Sequence, residues 1–175
     1  MSPAATTRAT RTARSILRVA LASVLLAGVV SVVGPASHPA PASAATADYM
    51  EDLLLRWVND ARSKRGIAPL KVGWRLEDYA GDRAADMAAA GRISHPSCLS
   101  CQLRNRSVSF SKCGEVVAWT SYPWGYEAAR QIFLGWKGSS GHWGLLMSRD
   151  FTRVGFGVAY RSKSRTTYAA GVLVR

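Results

Sequence analysis

The first 44 residues are the feature that most constrains the fold, because they indicate a segment that is cut away on export. Four arginines and no acidic residue stand within residues 1–18, and residues 19–34 are apolar or small throughout. A small-residue site, Ala42-Ser43-Ala44, follows them. A basic start, a short apolar run and an Ala-x-Ala site together are typical of a secretory signal peptide. We therefore predict a Sec-type signal over 1–44, cleavage near Ala44, and a secreted, extracellular protein.

An uncleaved membrane anchor is the alternative interpretation of this segment. Even counted to Ala36, the apolar run is marginal for a bilayer, which takes roughly 20 apolar residues. Removal of 44 of the 175 residues leaves 131, which suits a single domain with a hydrophobic core. The sequence thus predicts one globular domain over residues 48–175.

The chain is strongly basic. It has 23 basic and 11 acidic residues, a formal charge of +12, and the predicted signal holds four of the basic residues and none of the acidic ones. The exported part would therefore carry +8. Such a charge favours anionic partners, such as lipid head groups or cell-wall polymers. The basic residues are scattered and no nucleic-acid motif accompanies them, so nucleic acid is not an expected partner.

Three segments have the apolar periodicity of amphipathic helices. The first begins at Asp48, which is placed to cap it, and ends before Gly66. The second runs over 75–90 and is stopped by Gly91, and the third covers 127–136. The sequence therefore predicts helices over most of the first two thirds of the domain.

Strands are predicted mainly at the C-terminus. Residues 154–160 and 167–174 form two apolar runs joined by a polar turn, and 116–119 is a shorter β-like run. Phe156 and Val158 alternate with glycines, which predicts close packing of another element on the glycine face. Helices followed by a terminal hairpin indicate a layered α+β domain.

Three cysteines lie within sixteen residues, in or next to a polar stretch (95–112) that we predict to be a long surface loop. In an exported chain they predict one disulfide, in which either Cys98 or Cys101 pairs with Cys113. With His95 the same cysteines could instead form a three-Cys, one-His zinc site. The loose spacing and the oxidising compartment favour the disulfide.

Two histidines remain beyond the predicted signal, and both are predicted to lie in loops. His95 stands before a proline, and His142 follows a glycine- and serine-rich stretch. Glu115 enters an apolar run, where its charge needs a partner. Two imidazoles and a carboxylate could bind a divalent cation, zinc or magnesium, or act as general acid and base without a metal. No Gly-x-Ser-x-Gly or His-Glu-x-x-His motif is present.

The order of several segments along the chain is specific. These are RGIAPL (65–70), ADMA (85–88), Ser94-His95, GEVVA (114–118), SGH (140–142) and FTRVGFGVA (151–159). Over residues 49–174 the chain resembles the CAP superfamily of cysteine-rich secretory, antigen 5 and pathogenesis-related proteins, and above all its bacterial SCP-like branch. The resemblance implies a three-layer α-β-α sandwich with a central antiparallel sheet.

The resemblance also implies a site. The family places two histidines and two acids around one cleft that can hold a divalent cation, and His95, Glu115 and His142 match three of these four. Val116 stands where the family has asparagine. The second acid has no counterpart, since Lys137 and Gly138 end the third helix.

Three functions follow as expectations. The first is a secreted binding module that uses the His95, Glu115 and His142 cleft, with a basic surface and nearby tryptophans (Trp119, Trp124, Trp143), against a lipid, sterol or anionic cell-wall ligand. The second is a hydrolase in which a histidine, with or without a metal, acts as base and Glu115 orients it. In the third, the cluster is purely structural.

Overall fold

The structure, a computed structural model, describes residues 42–175, with side chains from Thr46 onward. The predicted signal peptide falls on 1–44 and so lies outside the described residues, except for its last three. These three belong to the first helix, α1, which spans Ala42–Ser63. Asp48 therefore lies inside the helix, and its predicted role as the cap is wrong. The alanines before it, strong helix formers, extend the helix past the point where the apolar stripe begins.

Eight further elements follow α1. They are β1 (Lys71–Val72), α2 (Trp74–Ala90), α3 (Leu99–Asn105), β2 (Cys113–Thr120), α4 (Tyr126–Gly138), α5 (Ser140–Leu146), β3 (Arg153–Arg161) and β4 (Thr166–Val174). A short 3-10 turn, Ser162–Ser164, joins the last two strands. No helix of the described part is long and apolar enough to cross a bilayer.

The four strands form one sheet in the order β1-β3-β4-β2. The three long strands are antiparallel, as predicted, with Phe156 opposite Gly171 and Glu115 opposite Val172. The two-residue strand β1 pairs with β3 in parallel, which makes the sheet mixed. Strand β2 is an edge strand, and this puts Glu115 at the border of the sheet.

Helices cover both faces of the sheet, and this confirms the predicted α-β-α sandwich. On one face α1, α4 and α5 contribute Met50, Leu54, Ile132, Trp136 and Leu146 to a core shared with the sheet. On the other face α2 and α3 contribute Leu76, Tyr79, Met87 and Leu103 to a second core. Alternation along the strands divides the side chains between these cores, so that Val116 joins the first and Val117 the second.

The glycines of β3 allow α2 to lie directly on the sheet. An added Cβ at Gly155 would come within 2.1 Å of the Leu76 carbonyl carbon, and one at Gly157 within 2.2 Å of that of Ala80. Real side chains cannot approach a backbone so closely. The predicted close packing on the glycine face is confirmed, and α2 is the element that packs there.

Two predicted loops contain helices. Within 95–112, α3 forms because Leu99 and Leu103 lie one turn apart, with Leu103 buried, and because the Cys98 sulfur accepts the Cys101 N–H. His142 lies in α5, where the Ser139 hydroxyl caps the helix by accepting the His142 N–H. The loop predictions are wrong over α3 and α5, since short capped helices carry too little apolar periodicity to be recognised, whereas His95 lies in a loop as predicted.

The disulfide joins Cys98 to Cys101, and Cys113 is a free thiol. The predicted pairing of Cys113 is therefore wrong. The two bonded cysteines lie at the start of α3 with their Cα atoms 5.3 Å apart, whereas Cys113 begins β2 opposite Val174. Within residues 46–175 no group of three or more His, Cys, Asp or Glu side chains could hold a metal ion, which leaves the zinc alternative without a ligand set.

Candidate functional site

Glu115 lies at the centre of the candidate site. Its side chain is 2% exposed and projects from β2 toward the α2 layer. Arg83 donates from Nε to Oε1 at 2.9 Å, and Nδ1 of His95 lies 2.8 Å from Oε2. A carboxylate can only accept hydrogen bonds, so His95 carries its proton on Nδ1. The structure thus brings together two of the three predicted residues and gives the buried carboxylate the charge partner that the sequence required.

The residue that sequence reasoning missed is Arg83. It lies on the buried stripe of α2, four residues after Tyr79 and four before Met87, and its side chain is 9% exposed. Besides binding Glu115, it donates to the backbone carbonyl of Ser94 and so fixes the loop that carries His95. A cation in the middle of an apolar helical stripe was the signal that pointed to a buried acid elsewhere in the chain.

His95 presents its other ring nitrogen outward. Its side chain is 58% exposed, although Nδ1 is held by Glu115. The carboxylate therefore fixes the ring orientation and leaves Nε2 available to accept a hydrogen bond or a proton from a ligand.

His142 approaches from the opposite helical layer. Burial lowers the pKa of His142, and the nearby His95 lowers it further. The second predicted histidine is therefore neutral near pH 7. The three predicted residues come from α5, from the edge strand β2 and from the loop after α2. His95 and Glu115 are hydrogen-bonded to each other, and His142 is near enough to His95 for the two rings to interact electrostatically.

The donors of this cleft do not fit a zinc or magnesium site. Both oxygens of Glu115 are engaged, by Arg83 and by His95, and Nδ1 of His95 carries a proton toward Glu115. Two ring nitrogens remain, on His95 and His142, whereas a zinc site takes three or four protein ligands and magnesium prefers oxygens.

The family's second acid is not replaced from α4. Lys137 and Gly138 are its last two residues. Glu127 lies in its first turn, 3.7 Å from Arg130, which agrees with a helix-start residue and not with a member of the cleft.

A groove lies on the same face of the sheet as Glu115. Residues alternate along β2, so Trp119, four residues further on, points to the same side as Glu115. The groove has a volume of about 420 Å³. It is lined by Gly91, Arg92, Ile93, Trp119, Arg161, Ser164, Thr166 and Tyr168. Because Ile93 is two residues from His95, the groove and the cleft share one loop.

The three tryptophans named from the sequence have different environments. Trp119 is 57% exposed and borders the groove. Trp124 and Trp143 are partly buried against the core under α1 and α4, where they contact Tyr160 and Phe133. Of the three, Trp119 is the one that a ligand of the groove can reach.

The comparisons with known proteins agree with this architecture. The family model for the cysteine-rich secretory protein (CAP) family matches residues 55–173. No curated protein matches the chain.

Among solved structures, the chain is similar to an extracellular SCP-domain protein from Bacillus anthracis, with 22% identity and a TM-score of 0.64 over 74% of this chain and 41% of that one. It is also similar to a cysteine-rich secretory protein from Staphylococcus aureus (18% identity, TM-score 0.59, 73% of this chain and 38% of that one). A third similar structure is an outer surface protein from Borrelia burgdorferi (17% identity, TM-score 0.61, 73% and 92%).

This chain spans less than half the length of the Bacillus and Staphylococcus proteins, and at these identities the likeness shows the fold alone. The family match itself covers well over half of the chain, including Glu115, both histidines of the cleft and Trp119. The chain belongs to the cysteine-rich secretory protein (CAP) family.

Proposed function

We propose that this chain is a secreted binding module for an anionic amphiphile of the cell envelope. The ligand would occupy the cleft of His95, Glu115 and His142 and the adjoining groove. The observation that carries the proposal is the exposed Trp119 at the border of a groove that also holds Arg92 and Arg161.

The groove combines the two recognition elements that such a ligand requires. Trp119 and Ile93 are exposed apolar side chains whose burial against an acyl chain is favourable. The guanidinium groups of Arg92 and Arg161 suit a phosphate or carboxylate head group, which they can bind through paired hydrogen bonds. The charge of +8 expected for the exported part adds a long-range attraction for an anionic surface.

Gly91 leaves room for the side chain of Arg161 at the groove. It ends α2 in the left-handed conformation, with φ at 71°. An added Cβ would lie 1.7 Å from Nη1 of Arg161, so the guanidinium rests directly on the glycine. Both the turn and the position of Arg161 therefore need glycine here.

The paired state of Glu115 also favours binding over hydrolysis. A carboxylate held by Arg83 and His95 cannot serve as a free base or nucleophile, but it orients the imidazole of His95. A fixed, half-exposed imidazole beside a basic groove can accept, at Nε2, a hydrogen bond from a hydroxyl of the head group, while the arginines bind its anionic part.

Vesicle co-sedimentation tests the proposal. We expect the protein to bind phosphatidylglycerol vesicles and not phosphatidylcholine vesicles, and to dissociate as salt is raised, because exposed charges are screened. Trp119→Ala should weaken binding about tenfold, the order expected when about 1.5 kcal/mol of aromatic burial is lost.

Trp74→Ala is the matched control. Trp74 is 66% exposed and stacks under Arg75, 4.3 Å from the guanidinium carbon, but it lies outside the Trp119 groove. Equal loss of binding in the two variants, or binding that ignores lipid charge, would remove support for the proposal.

A hydrolase is the second candidate, and one observation favours it. A carboxylate on Nδ1 of His95 with Nε2 exposed is the arrangement that orients a general base. If an ester or amide substrate were found, His95→Ala should lower kcat/KM about 100-fold or more. Unchanged turnover in that variant would exclude His95 as the base.

A further inference from the structure

The disulfide of this chain stands apart from the rest of the site and has chemistry of its own. Cys98 and Cys101 are separated by three positions, and both lie at the start of α3. The bond therefore joins two neighbouring turns of one short segment and links no two elements of the fold. A disulfide that closes so short a loop restricts the unfolded chain less than one that closes a long loop.

The two sulfurs have different surroundings. Cys101 is exposed, whereas Cys98 is partly buried. Sγ of Cys98 accepts the backbone N–H of Cys101 at 3.2 Å. It also lies 3.5 Å from Oγ of Ser100, and because a disulfide sulfur has no proton, the hydroxyl is the donor. Two donors therefore face Cys98, and they would stabilise negative charge on its sulfur if the disulfide opened.

Hydrogen bonds donated to a thiolate favour its charged form, so the two donors at Cys98 favour a thiolate there. Cys113 is the opposite case, since burial raises the pKa of its thiol.

We propose that Cys98–Cys101 is a thiol–disulfide exchange site whose substrates are low-molecular-weight thiols and their disulfides. The sulfur of Cys101, the more exposed of the two residues, is the point of attack. The sulfur of Cys98 is the leaving group in one direction and the nucleophile in the other.

The exchange is balanced without further reagents. A substrate thiolate attacks Sγ of Cys101, a new S–S bond forms there, and the Cys98–Cys101 bond breaks with its electron pair on Cys98. A second substrate thiolate then attacks the substrate sulfur of the mixed disulfide and releases Cys101. Two substrate thiols are oxidised to one disulfide, their two protons pass to Cys98 and Cys101, and the reverse sequence regenerates the protein disulfide.

Equilibration with mixtures of reduced and oxidised glutathione tests the proposal, with the cysteines counted by acid quench, alkylation and peptide mass spectrometry. We expect the pair to open and close reversibly with the glutathione ratio while the far-UV circular dichroism stays native, and Cys113 to remain a thiol throughout as the internal reference. A pair that stays closed until the chain unfolds, or whose opening unfolds the domain, would overturn the proposal.

Two matched variants test which sulfur is activated. Cys101→Ser leaves Cys98 as a thiol and keeps the backbone N–H that faces it, whereas Cys98→Ser leaves Cys101 alone. At pH 7 we expect iodoacetamide to alkylate Cys98 about tenfold faster than Cys101, although Cys101 is the more exposed, because more of Cys98 is thiolate. Equal rates, or a faster Cys101, would contradict the assigned roles.

Discussion

Two glutamates at the sheet, Glu115 and Glu51, illustrate opposite ways of burying a carboxylate. Glu115 on β2 is held by the guanidinium of Arg83 and by His95. Glu51 on α1 accepts one backbone N–H, from Val158 at 3.0 Å, and makes no ion pair within residues 46–175. Burial raises the pKa of Glu51 to about 8, and the nearby Asp48, Glu77 and Asp52 add to the shift.

The two carboxylates therefore differ in what surrounds them: Glu115 has a cation that positions its neighbours, whereas Glu51 lies among other acidic residues. Arg83 stabilises the charge of Glu115 and also binds the loop at Ser94, and Glu115 in turn fixes the ring of His95. Glu51 instead lines an acidic groove of about 480 Å³ with Asp48, Asp52, Glu77, Asp78 and Asp82. Its proton, and not a partner side chain, neutralises it at pH 7. The two regions should therefore respond differently to mutation and to pH.

The largest effect should follow from removing the cation at Glu115. Arg83→Met leaves a buried carboxylate without its partner, and we expect a loss of about 3–5 kcal/mol in the free energy of unfolding. Urea denaturation measures it. The double variant Arg83→Met with Glu115→Leu should recover part of the loss, because no buried charge then remains. If Arg83→Met were as stable as wild type, the ion pair of Arg83 and Glu115 would not be desolvated.

The next effect should come from Glu51 and depend on pH. The pKa of Glu51 is higher in the folded chain than in the unfolded chain, so the folded state holds the proton more tightly. Its contribution is fully present below pH 4.5, the ordinary pKa, and is lost as pH rises toward 8. The full shift corresponds to about 5 kcal/mol, and because solvent screens the partly exposed side chain we expect a fall on the order of 3 kcal/mol across this window.

Glu51→Gln is the variant that isolates this titration. The amide oxygen can still accept the Val158 N–H, but it cannot lose a proton. The variant should lose most of the decrease in the free energy of unfolding with pH. In urea denaturation its stability relative to wild type should therefore be higher at pH 8 than at pH 5. Parallel pH profiles for the two proteins would show that Glu51 is not the group responsible.

The smallest effect on stability should come from His95. Because its side chain is more than half exposed, His95→Ala should cost less than about 1 kcal/mol, while it weakens vesicle binding. Thermal unfolding and co-sedimentation of one preparation measure both. A large loss of stability with unchanged binding would favour the purely structural role of the cluster.

Much of the fold could be predicted from the sequence because its signals are periodic. The stripes of α2 and α4 and the alternation of Phe156 and Val158 with glycines each depend on neighbours a few residues away. The stripe of α2 also contained the signal for Arg83, but a cation on an apolar face identifies its partner only after the sheet has brought Glu115 to it.

Long-range contacts explain what could not be predicted. Arg62 has the sequence appearance of a cation that ends α1 favourably, yet it is buried and donates to the carbonyls of Leu146, Ser148 and Phe151, more than 80 residues away. Likewise, the distance between Cys113 and the other two cysteines depends on where β2 joins the sheet. Within the candidate site, residue types together with the family resemblance pointed to His95, Glu115 and His142, but the groove at Trp119 required the structure.

Nuclear magnetic resonance titration tests the central claim most directly, since it observes the cleft and the groove together. Phosphatidylglycerol nanodiscs would be added to protein with assigned histidine and tryptophan side-chain signals. We predict that the signals of Trp119 and His95 shift together and saturably, that Trp74 stays unchanged, and that phosphatidylcholine nanodiscs have no effect. Saturable binding that shifts Trp74 and leaves Trp119 and His95 unchanged would contradict the account.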